Sequence, residues 1–210
     1  MRLTVFGATG GTGRALVDDA VGSGHDVTAV VRDPSRFGDR SGPVRVVRGD
    51  VLDAASLDGA LDRADAVCSA LGTRQRGPTT VYSDGVGNIL AAMATAEVRR
   101  FVGLSAVPVG PRDRLPPVER RVVMPLLDRL FGEGYADMAR MEALLRSSDR
   151  DWTVLRPPRL TNRPGTGRYR TAIDRPLARA RSIARADLAA AMLDVLDNPA
   201  TVRTAVTVAH

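Results

Sequence analysis

Gly7-Ala8-Thr9-Gly10-Gly11-Thr12-Gly13 is the stretch that decides the fold of this 210-residue chain. An apolar run, Leu3 to Phe6, leads directly into it, and a helical pattern starts within it. In such a strand–turn–helix unit, Gly7 permits the tight turn, Gly10 lets the backbone approach a pyrophosphate, and Gly13 lets the helix pack closely on the strand. The N–H groups and the dipole at the helix start favour negative charge. The stretch therefore predicts dinucleotide binding, with a purely structural glycine turn as the alternative.

Short apolar runs alternate with helical patterns as far as residue 105, which is typical of βαβ units and a parallel sheet. We therefore predict an α/β fold, a Rossmann-type doubly wound parallel sheet, in a single NAD(P)-binding domain over residues 1–210. The predicted strands are Leu3 to Phe6, Asp26 to Val31, Val44 to Arg48, Ala66 to Ala70 and Phe101 to Leu104, and the predicted helices are Gly11 to Gly22, Ala54 to Arg63 and Thr79 to Glu97.

The second half of the chain is less regular. Residues 107–135 are rich in proline and arginine and predict a lid-like insertion over the carboxyl edge of the sheet. Residues 157–185 predict a small, irregular C-terminal segment on the substrate side. Regular structure is predicted here as helices over Val118 to Phe131, Tyr135 to Ser147 and Ala186 to Leu196, and as strands over Trp152 to Arg156 and Thr204 to Val208.

The composition excludes several kinds of chemistry. All 30 basic residues counted as Lys or Arg are arginine, so a Schiff-base lysine, a P-loop lysine and a Tyr-x-x-x-Lys pair are impossible. Cys68 is the single cysteine, and with His25 and His210 it offers too few ligands for zinc, so no metal is expected. No apolar run is long enough to cross a membrane, and no secretory signal is visible. We expect a cytoplasmic protein without a membrane partner.

Positive charge is concentrated in residues 156–185, which hold nine arginines and one acid, Asp174. Three interpretations are open: a solvated surface, a site for a small anionic ligand, or a nucleic-acid surface. Only Tyr169 offers a ring for base stacking in this segment. We therefore expect no nucleic-acid partner, and the other two interpretations remain.

The end of the second predicted strand indicates the cofactor. An acid at this tip binds the ribose 2′-hydroxyl of NAD, whereas arginine accommodates the 2′-phosphate of NADP. Arg32 takes the tip position, and Ser35 with Arg36 completes a phosphate clamp, so NADP(H) is preferred. Asp33 argues for NAD, and the alternative interpretation of both arginines is that they are ordinary loop charges.

Two later strand ends extend this cofactor site. Asp50, after the third strand, is placed to bind the adenine amino group, and Val51 to pack on the ring. Leu71 and Gly72 follow the fourth strand and are expected to pass beneath the cofactor.

Several motifs resemble one family across nearly the whole chain. Gly-Ala-Thr-Gly-x-Thr-Gly is followed by Val-Arg-Asp-x-Ser-Arg, Gly-Asp-Val-Leu and Leu-Gly-Thr-Arg, and then by Pro-Thr-Thr-Val-x-Ser-x-Gly-x-x-Asn-Ile. Together they resemble the biliverdin-IXβ reductase and NADPH-dependent flavin reductase family, among the atypical, NmrA-like short-chain dehydrogenases/reductases. The first two motifs are widely shared, and the run from Gly72 to Met93 is more specific.

The resemblance implies a set of site residues. Cofactor contacts are implied for Gly7, Thr9, Gly10, Gly11, Thr12, Gly13, Arg32, Ser35, Arg36, Asp50, Val51, Leu71 and Gly72. Arg74 is expected near the phosphates or the substrate entrance. Ser105 matches the family serine close to the nicotinamide, although a strand-end serine can equally bond backbone.

Two positions depart from the family pattern. Its active-site histidine after the Pro-Pro pair is Arg159 here, and its second histidine corresponds to Met138. Neither side chain is a usable general acid near neutral pH. Biliverdin reduction is therefore less expected, while Arg159 remains a candidate for binding an anionic acceptor or stabilising developing negative charge.

Three hypotheses result. The first is an NADPH-dependent reductase, flavin reductase-like, that passes hydride to a small planar acceptor such as a flavin or quinone, with Ser105 and Arg159 as the candidate catalytic residues. The second is a non-catalytic, NmrA-like NADP(H)-binding regulator. The third is an epimerase-like enzyme, which the missing lysine disfavours. The sequence shows no stripe that fixes an oligomeric state.

Overall fold

The structure is a computed structural model that describes residues 1–38, 43–73, 77–113 and 117–210. Ten strands are found in this part of the chain. They are β1 (Arg2–Phe6), β2 (Asp26–Val31), β3 (Val44–Arg48), β4 (Ala66–Ser69), β5 (Arg100–Leu104), β6 (Asp151–Arg156), β7 (Arg159–Thr161), β8 (Arg170–Ile173), β9 (Ser182–Ala184) and β10 (Thr204–Ala209).

Eight strands form one sheet in the order β3-β2-β1-β4-β5-β6-β10-β8. All neighbours in it are parallel except β8, which pairs antiparallel with β10 at the edge. β7 and β9 form a separate parallel pair. The prediction of a doubly wound, mostly parallel α/β fold is confirmed.

Four α-helices cover both faces of the sheet: α1 (Gly11–Gly22), α2 (Ser83–Thr95), α3 (Met124–Ser147) and α4 (Arg185–Asp194). On one face, α1 and α4 pack over a core that includes Val5, Val102 and Leu155. On the other face, α2 and α3 pack over Phe6 and Phe101, among others. Because side chains alternate along each strand, every central strand contributes residues to both cores. This explains why the sequences of these strands are apolar almost without interruption.

The strand order reverses between β1 and β4, since the chain runs outward from β1 to β3 and then returns to the other side of β1. A crevice opens at such a switch point beyond the carboxyl ends of the strands, and ligands of doubly wound folds bind there. The turns after β1, β2, β4 and β5 all lie along this edge. Of the described residues, the fold therefore places Gly10, Arg32, Gly72 and Ser105 along one edge of the sheet.

One predicted helix is absent from the structure. The stretch predicted as helix from Ala54 to Arg63 is a single 3₁₀ turn, Ala54–Leu57, followed by tight turns. Gly59 in it has a φ of +70° and Arg63 a φ of +63°, which a continuing helix does not allow. Only Leu57, Ala60 and Leu61 reach the core, so packing is satisfied without a helix.

The two helices predicted on either side of residues 132–134 are one. A π-helical turn, Glu119–Val123, continues directly into the 24 residues of α3. Gly132 and Gly134 remain helical, because a glycine in a helix costs only about 1 kcal/mol and α3 buries Met141 and Leu145 against the sheet. At 1.5 Å per residue α3 is about 36 Å long, well beyond the roughly 20 Å of a six-residue strand. Its N-terminal part therefore extends past the carboxyl edge.

The segment predicted as irregular, residues 157–181, contains β7 and β8. β7 pairs with β9, which leads into α4, so the arginine-rich segment is tied back to the carboxyl edge of the sheet. No helix in the described residues is long and apolar enough to cross a membrane.

Candidate functional site

The glycine turn between β1 and α1 is packed too tightly for side chains. Gly7 has a φ of +74°, and a Cβ there would lie 2.5 Å from the carbonyl oxygen of Ala70. A Cβ on Gly13 would lie 2.2 Å from the carbonyl oxygen of Gly7. These distances are far below van der Waals contact, so both positions require glycine. The roles predicted for Gly7 and Gly13, tight turn and close helix packing, follow from this geometry.

The start of α1 presents N–H groups without a cap. Its N-cap is Gly10, which has no side chain to accept a hydrogen bond. The first i→i−4 bond runs from Arg14 N to Gly10 O at 2.8 Å, so the N–H groups of Gly11, Thr12 and Gly13 precede it. A Cβ on Gly10 would meet only Gly7 O, at 3.3 Å, and Thr9, Gly10 and Gly11 are exposed. These residues form an open cradle of donors that fits a dinucleotide diphosphate.

The tip of β2 carries the predicted 2′-phosphate clamp. Arg32 and Arg36 are exposed, as the clamp requires. Asp33 is engaged within its own turn, because its Oδ1 accepts hydrogen bonds from Ser35 Oγ (2.6 Å) and Ser35 N (3.1 Å). The Ser35 hydroxyl, followed by its N–H, holds the pKa of Asp33 below its usual value. The Ser35 hydroxyl is thus committed to Asp33, and the clamp depends on the two arginines.

Arg14 joins this tip to the glycine turn. Its Nε donates to Thr9 O at 3.0 Å, and its Nη2 donates to Arg36 O at 2.7 Å. One guanidinium therefore fixes the loop that carries Arg36 relative to the turn that receives the diphosphate. Arg14 was not predicted as a site residue, and its place on the first turn of α1 is the only sequence signal for this role.

The end of β3 is held in place by α2. Asp50 N donates to Ser56 Oγ at 2.8 Å, while Asp50 Oδ1 accepts from Leu52 N. Asn88 Nδ2 donates to Val51 O at 2.8 Å. A Cβ on Gly85 would lie 2.9 Å from Val51 Cγ2, so α2 approaches this loop closely. Asp50 and Val51 therefore stand at the carboxyl edge as predicted, beside the crevice.

The end of β4 completes the cofactor side. Gly72 is exposed and Leu71 is half-buried against the α2/α3 core. The next residue, Thr73, donates its N–H to the Tyr82 hydroxyl at 3.4 Å. Burial raises the pKa of Tyr82. Arg74 lies outside the described residues.

Tyr82 is itself positioned by a buried acid on α3. The carboxylate of Asp137 accepts from Tyr82 N (2.9 Å), Ser83 N (3.3 Å) and the Ser83 hydroxyl, and it pairs with Arg140. Asp137 thus caps the N-terminus of α2 from another helix. This contact joins α2 to α3 at the carboxyl edge.

Ser105, at the end of β5, belongs to a buried charged cluster. Its Oγ donates to Glu142 Oε1 at 2.7 Å, and Arg156 Nε donates to the same oxygen at 2.9 Å. Arg156 Nη2 and Arg146 Nη2 both reach Glu142 Oε2, the latter at 2.6 Å. The exposed fractions of Ser105, Glu142 and Arg156 are only 4%, 2% and 6%. The predicted serine is therefore oriented by a carboxylate that the sequence analysis did not single out.

The remaining candidates lie around this cluster. Arg159 is exposed at the start of β7, and no carboxylate pairs with it in the described part of the chain. Met138 is half-buried against the α2/α3 core. One turn earlier, Tyr135 is half-buried, with its ring centroid 6.2 Å from that of Phe131. Burial, and then the neighbouring Asp128, raises the pKa of Tyr135, so its phenol stays protonated near neutral pH.

The residues of this edge that were not predicted include Arg14, Glu142 and Arg185. Arg185, at the start of α4, donates from Nη1 to Asn162 Oδ1 at 2.6 Å. Glu142 had a signal, because an acid on the inward face of an amphipathic helix with arginine four residues later predicts a buried partner. Arg14 and Arg185 had none beyond their charge, since each acts through a contact formed only in the folded chain.

Comparisons with known proteins agree with this site. Residues 7–199 match the family described as NAD(P)H-binding. The Bacillus subtilis protein YwnB is 25% identical over 219 residues, covering 95% of this chain and 93% of that protein. A 3-diazoavenalumate denitrifying reductase from Streptomyces is 33% identical over 187 residues, covering 80% of this chain and 58% of that protein.

Solved structures show the same fold. A wide-type short-chain dehydrogenase/reductase from Veillonella parvula, solved in complex with NADP, superposes with a TM-score of 0.78 at 19% identity, and the match covers 100% of this chain and 94% of that one. The glycine cradle, the strand order and the match over residues 7–199 thus agree. This chain belongs to the NAD(P)H-binding family.

Proposed function

We propose that this protein is an NADPH-dependent oxidoreductase that transfers a hydride from the nicotinamide to a small, planar, electron-poor acceptor such as a flavin or quinone. The observation that carries the proposal is the uncapped start of α1, which lies on the same sheet edge as the arginine pair after β2. The Streptomyces relative is named a reductase, and the Veillonella neighbour binds NADP, which supports both halves of the proposal.

The preference for NADPH over NADH rests on the tip of β2. An acid that selects NAD must offer its oxygens to the ribose 2′-hydroxyl. The Oδ1 of Asp33 instead accepts two hydrogen bonds from Ser35. Arg32 and Arg36 leave two exposed guanidinium groups at this tip, which is the chemistry that a 2′-phosphate needs.

When bound, NADPH supplies the hydride, and the residues of this chain position the reactants. The Ser105 hydroxyl donates its hydrogen bond to Glu142. Its oxygen therefore keeps lone pairs that accept a hydrogen bond, for example from a carboxamide N–H. The Glu142 carboxylate also pairs with Arg156 and Arg146, which hold it in place beside Ser105. Ser105 therefore orients a donor group and does not protonate the product, and water or a protonated phenol such as Tyr135 provides the proton.

The acceptor side combines apolar surface with positive charge. The part of α3 and its π turn that extends past the sheet exposes the apolar side chains of Val118, Val122, Leu126, Leu130 and Phe131. Arg159 adds a guanidinium at the start of β7 that no carboxylate pairs with among the residues the structure describes. Apolar surface suits an aromatic ring, and arginine suits an acceptor that carries or develops negative charge. Biliverdin is the less favoured acceptor, since Arg159 replaces the family histidine.

Stopped-flow mixing tests the proposal. NADPH-loaded protein is mixed with FMN, riboflavin or menadione, and NADPH absorbance at 340 nm is followed against NADPH and acceptor alone. We expect protein-dependent NADPH oxidation with at least one acceptor. FMN and riboflavin share one ring system, so Arg159→Gln should slow the reaction with anionic FMN more than with neutral riboflavin, whereas Arg63→Gln, in the exposed turn before β4, should change neither. Oxidation no faster than in the protein-free mixtures would contradict the proposal.

A non-catalytic NADP(H)-binding regulator is the second candidate. Two features favour it: the Ser105 hydroxyl donates its hydrogen bond to Glu142, and Met138 stands where the resemblance implies a histidine. NADPH binding without turnover of any acceptor, together with a protein partner whose binding depends on NADPH, would support it. An epimerase-like reaction is disfavoured, because the chain has no lysine for a Tyr-x-x-x-Lys pair.

A further inference from the structure

Arg185, the first residue of α4, lies across the start of α1. A Cβ built on Gly11 would lie 2.7 Å from Arg185 Cδ and 3.0 Å from its Nε. The arginine side chain therefore occupies the space beside Gly11 that a larger residue would fill. Gly11 is the first residue of α1, so this guanidinium stands next to the N–H groups that form the diphosphate cradle.

The guanidinium group of Arg185 is hydrogen-bonded to a residue beside β7. Its Nη1 donates to Asn162 Oδ1 at 2.6 Å, and Asn162 directly follows β7. Asn162 is neutral, so this hydrogen bond directs the guanidinium without neutralising it. Within the residues that the structure describes, no carboxylate forms an ion pair with Arg185.

The electrostatics of this contact are unfavourable without an anion. The N-terminus of a helix carries about half a positive elementary charge. A guanidinium beside it is repelled, and the nearest acid along α4, Asp187, is already occupied by Thr166 N, Gly167 N and His210. An anion bound between the guanidinium and the N–H groups is attracted by both, so the arrangement becomes favourable.

We infer that Arg185 is a binding residue for the diphosphate of the dinucleotide, which it contacts from the side opposite the α1 N–H groups, with Asn162 as its positioning residue. The inference rests on cofactor binding by the glycine turn. It assigns the two sets of arginines different targets: Arg32 and Arg36 serve the 2′-phosphate, and Arg185 serves the diphosphate shared by NADPH and NADH.

Binding titrations separate the two targets. Dissociation constants are measured at fixed ionic strength by calorimetry for NADPH, NADH, ADP-ribose and 2′-AMP with the wild type, Arg185→Gln, Asn162→Ala and the control Arg175→Gln. A charge-assisted hydrogen bond lost to a diphosphate predicts about tenfold weaker binding of NADPH, NADH and ADP-ribose to Arg185→Gln. Binding of 2′-AMP, which has no diphosphate, should stay within about twofold.

The other variants sharpen the result. Asn162→Ala should weaken the binding of the same three diphosphate ligands, but by a smaller factor. If Arg185→Gln folds poorly, Arg185→Lys is used instead and should restore part of the lost affinity. Arg175→Gln removes an exposed arginine of the same segment and should leave all four constants unchanged. Unchanged NADPH and ADP-ribose affinity in Arg185→Gln would overturn this inference alone, and so would an equal loss for 2′-AMP. A wild type that binds no dinucleotide would overturn cofactor binding as well.

Discussion

The turn after β1 and the cluster behind Ser105 lie on the same sheet edge but are built in opposite ways. The turn consists almost entirely of backbone, and its donors are the N–H groups at the start of a helix whose N-cap, Gly10, makes no side-chain hydrogen bond to them. The cluster consists of side chains, with Glu142 buried between Ser105, Arg156 and Arg146. The first presents charge to a ligand, whereas the second satisfies its charges internally.

This difference separates binding from positioning. An open cradle of donors binds any dinucleotide diphosphate, and specificity comes from the arginines placed around it. The closed cluster pairs its charges internally, and it fixes the orientation of one hydroxyl at the end of β5. Substitutions in the cluster should therefore mainly lower the free energy of unfolding. Substitutions in the cradle should mainly weaken cofactor binding.

Glu142→Gln gives the largest expected effect. It leaves Arg156, whose side chain is 8% exposed, without its carboxylate, and such a loss typically destabilises by about 3–5 kcal/mol. For a chain of this size the midpoint of thermal unfolding should fall by roughly 6–15 °C. Urea unfolding followed by circular dichroism measures the change.

Glu133→Gln, an exposed acid on the same helix, is the matched control and should change the unfolding free energy by less than about 0.5 kcal/mol. If Glu142→Gln unfolds like this control, the cluster does not stabilise the fold. NADPH affinity of the folded Glu142→Gln protein should stay close to that of the wild type, because the cradle is untouched.

Gly13→Ala breaks the cradle. Its Cβ would collide with the carbonyl of Gly7, so α1 must move away from β1, at a cost of about 1–3 kcal/mol in stability. The displaced N–H groups should weaken NADPH binding by more than about tenfold. Gly22→Ala, at the other end of α1, meets no atom within 4 Å and should leave both quantities unchanged or slightly raise stability. Equal behaviour of the two variants in calorimetric titration would refute the role assigned to Gly13.

Arg32→Ala has the narrowest expected effect. Removing one guanidinium from a 2′-phosphate should weaken NADPH binding by about tenfold and leave NADH binding unchanged. Fluorescence titration with both nucleotides measures the ratio, and Arg63→Ala, in the exposed turn before β4, controls for the loss of one positive charge. Unchanged NADPH affinity in Arg32→Ala would show that the 2′-phosphate is bound elsewhere.

The cofactor-binding part of the site could be predicted from the sequence because the residues that determine it act locally. Gly7 and Gly13 act on the strand and helix that they join, and Arg32 follows its own strand, so spacing alone predicted their places. The predicted helix after Asp53 and the predicted break near Gly132 were wrong. In both, local propensity was overridden by core packing that the sequence does not display.

By itself, the sequence determined the βαβ order, the glycine turn and the absence of lysine chemistry, because each depends on residue type and short-range spacing. Only the tertiary structure decided the partners of Ser105 and Gly11. Glu142 lies 37 residues from Ser105, and Arg185 follows Gly11 by most of the chain length. Contacts over such separations form only when α3 and α4 pack on opposite faces of the sheet.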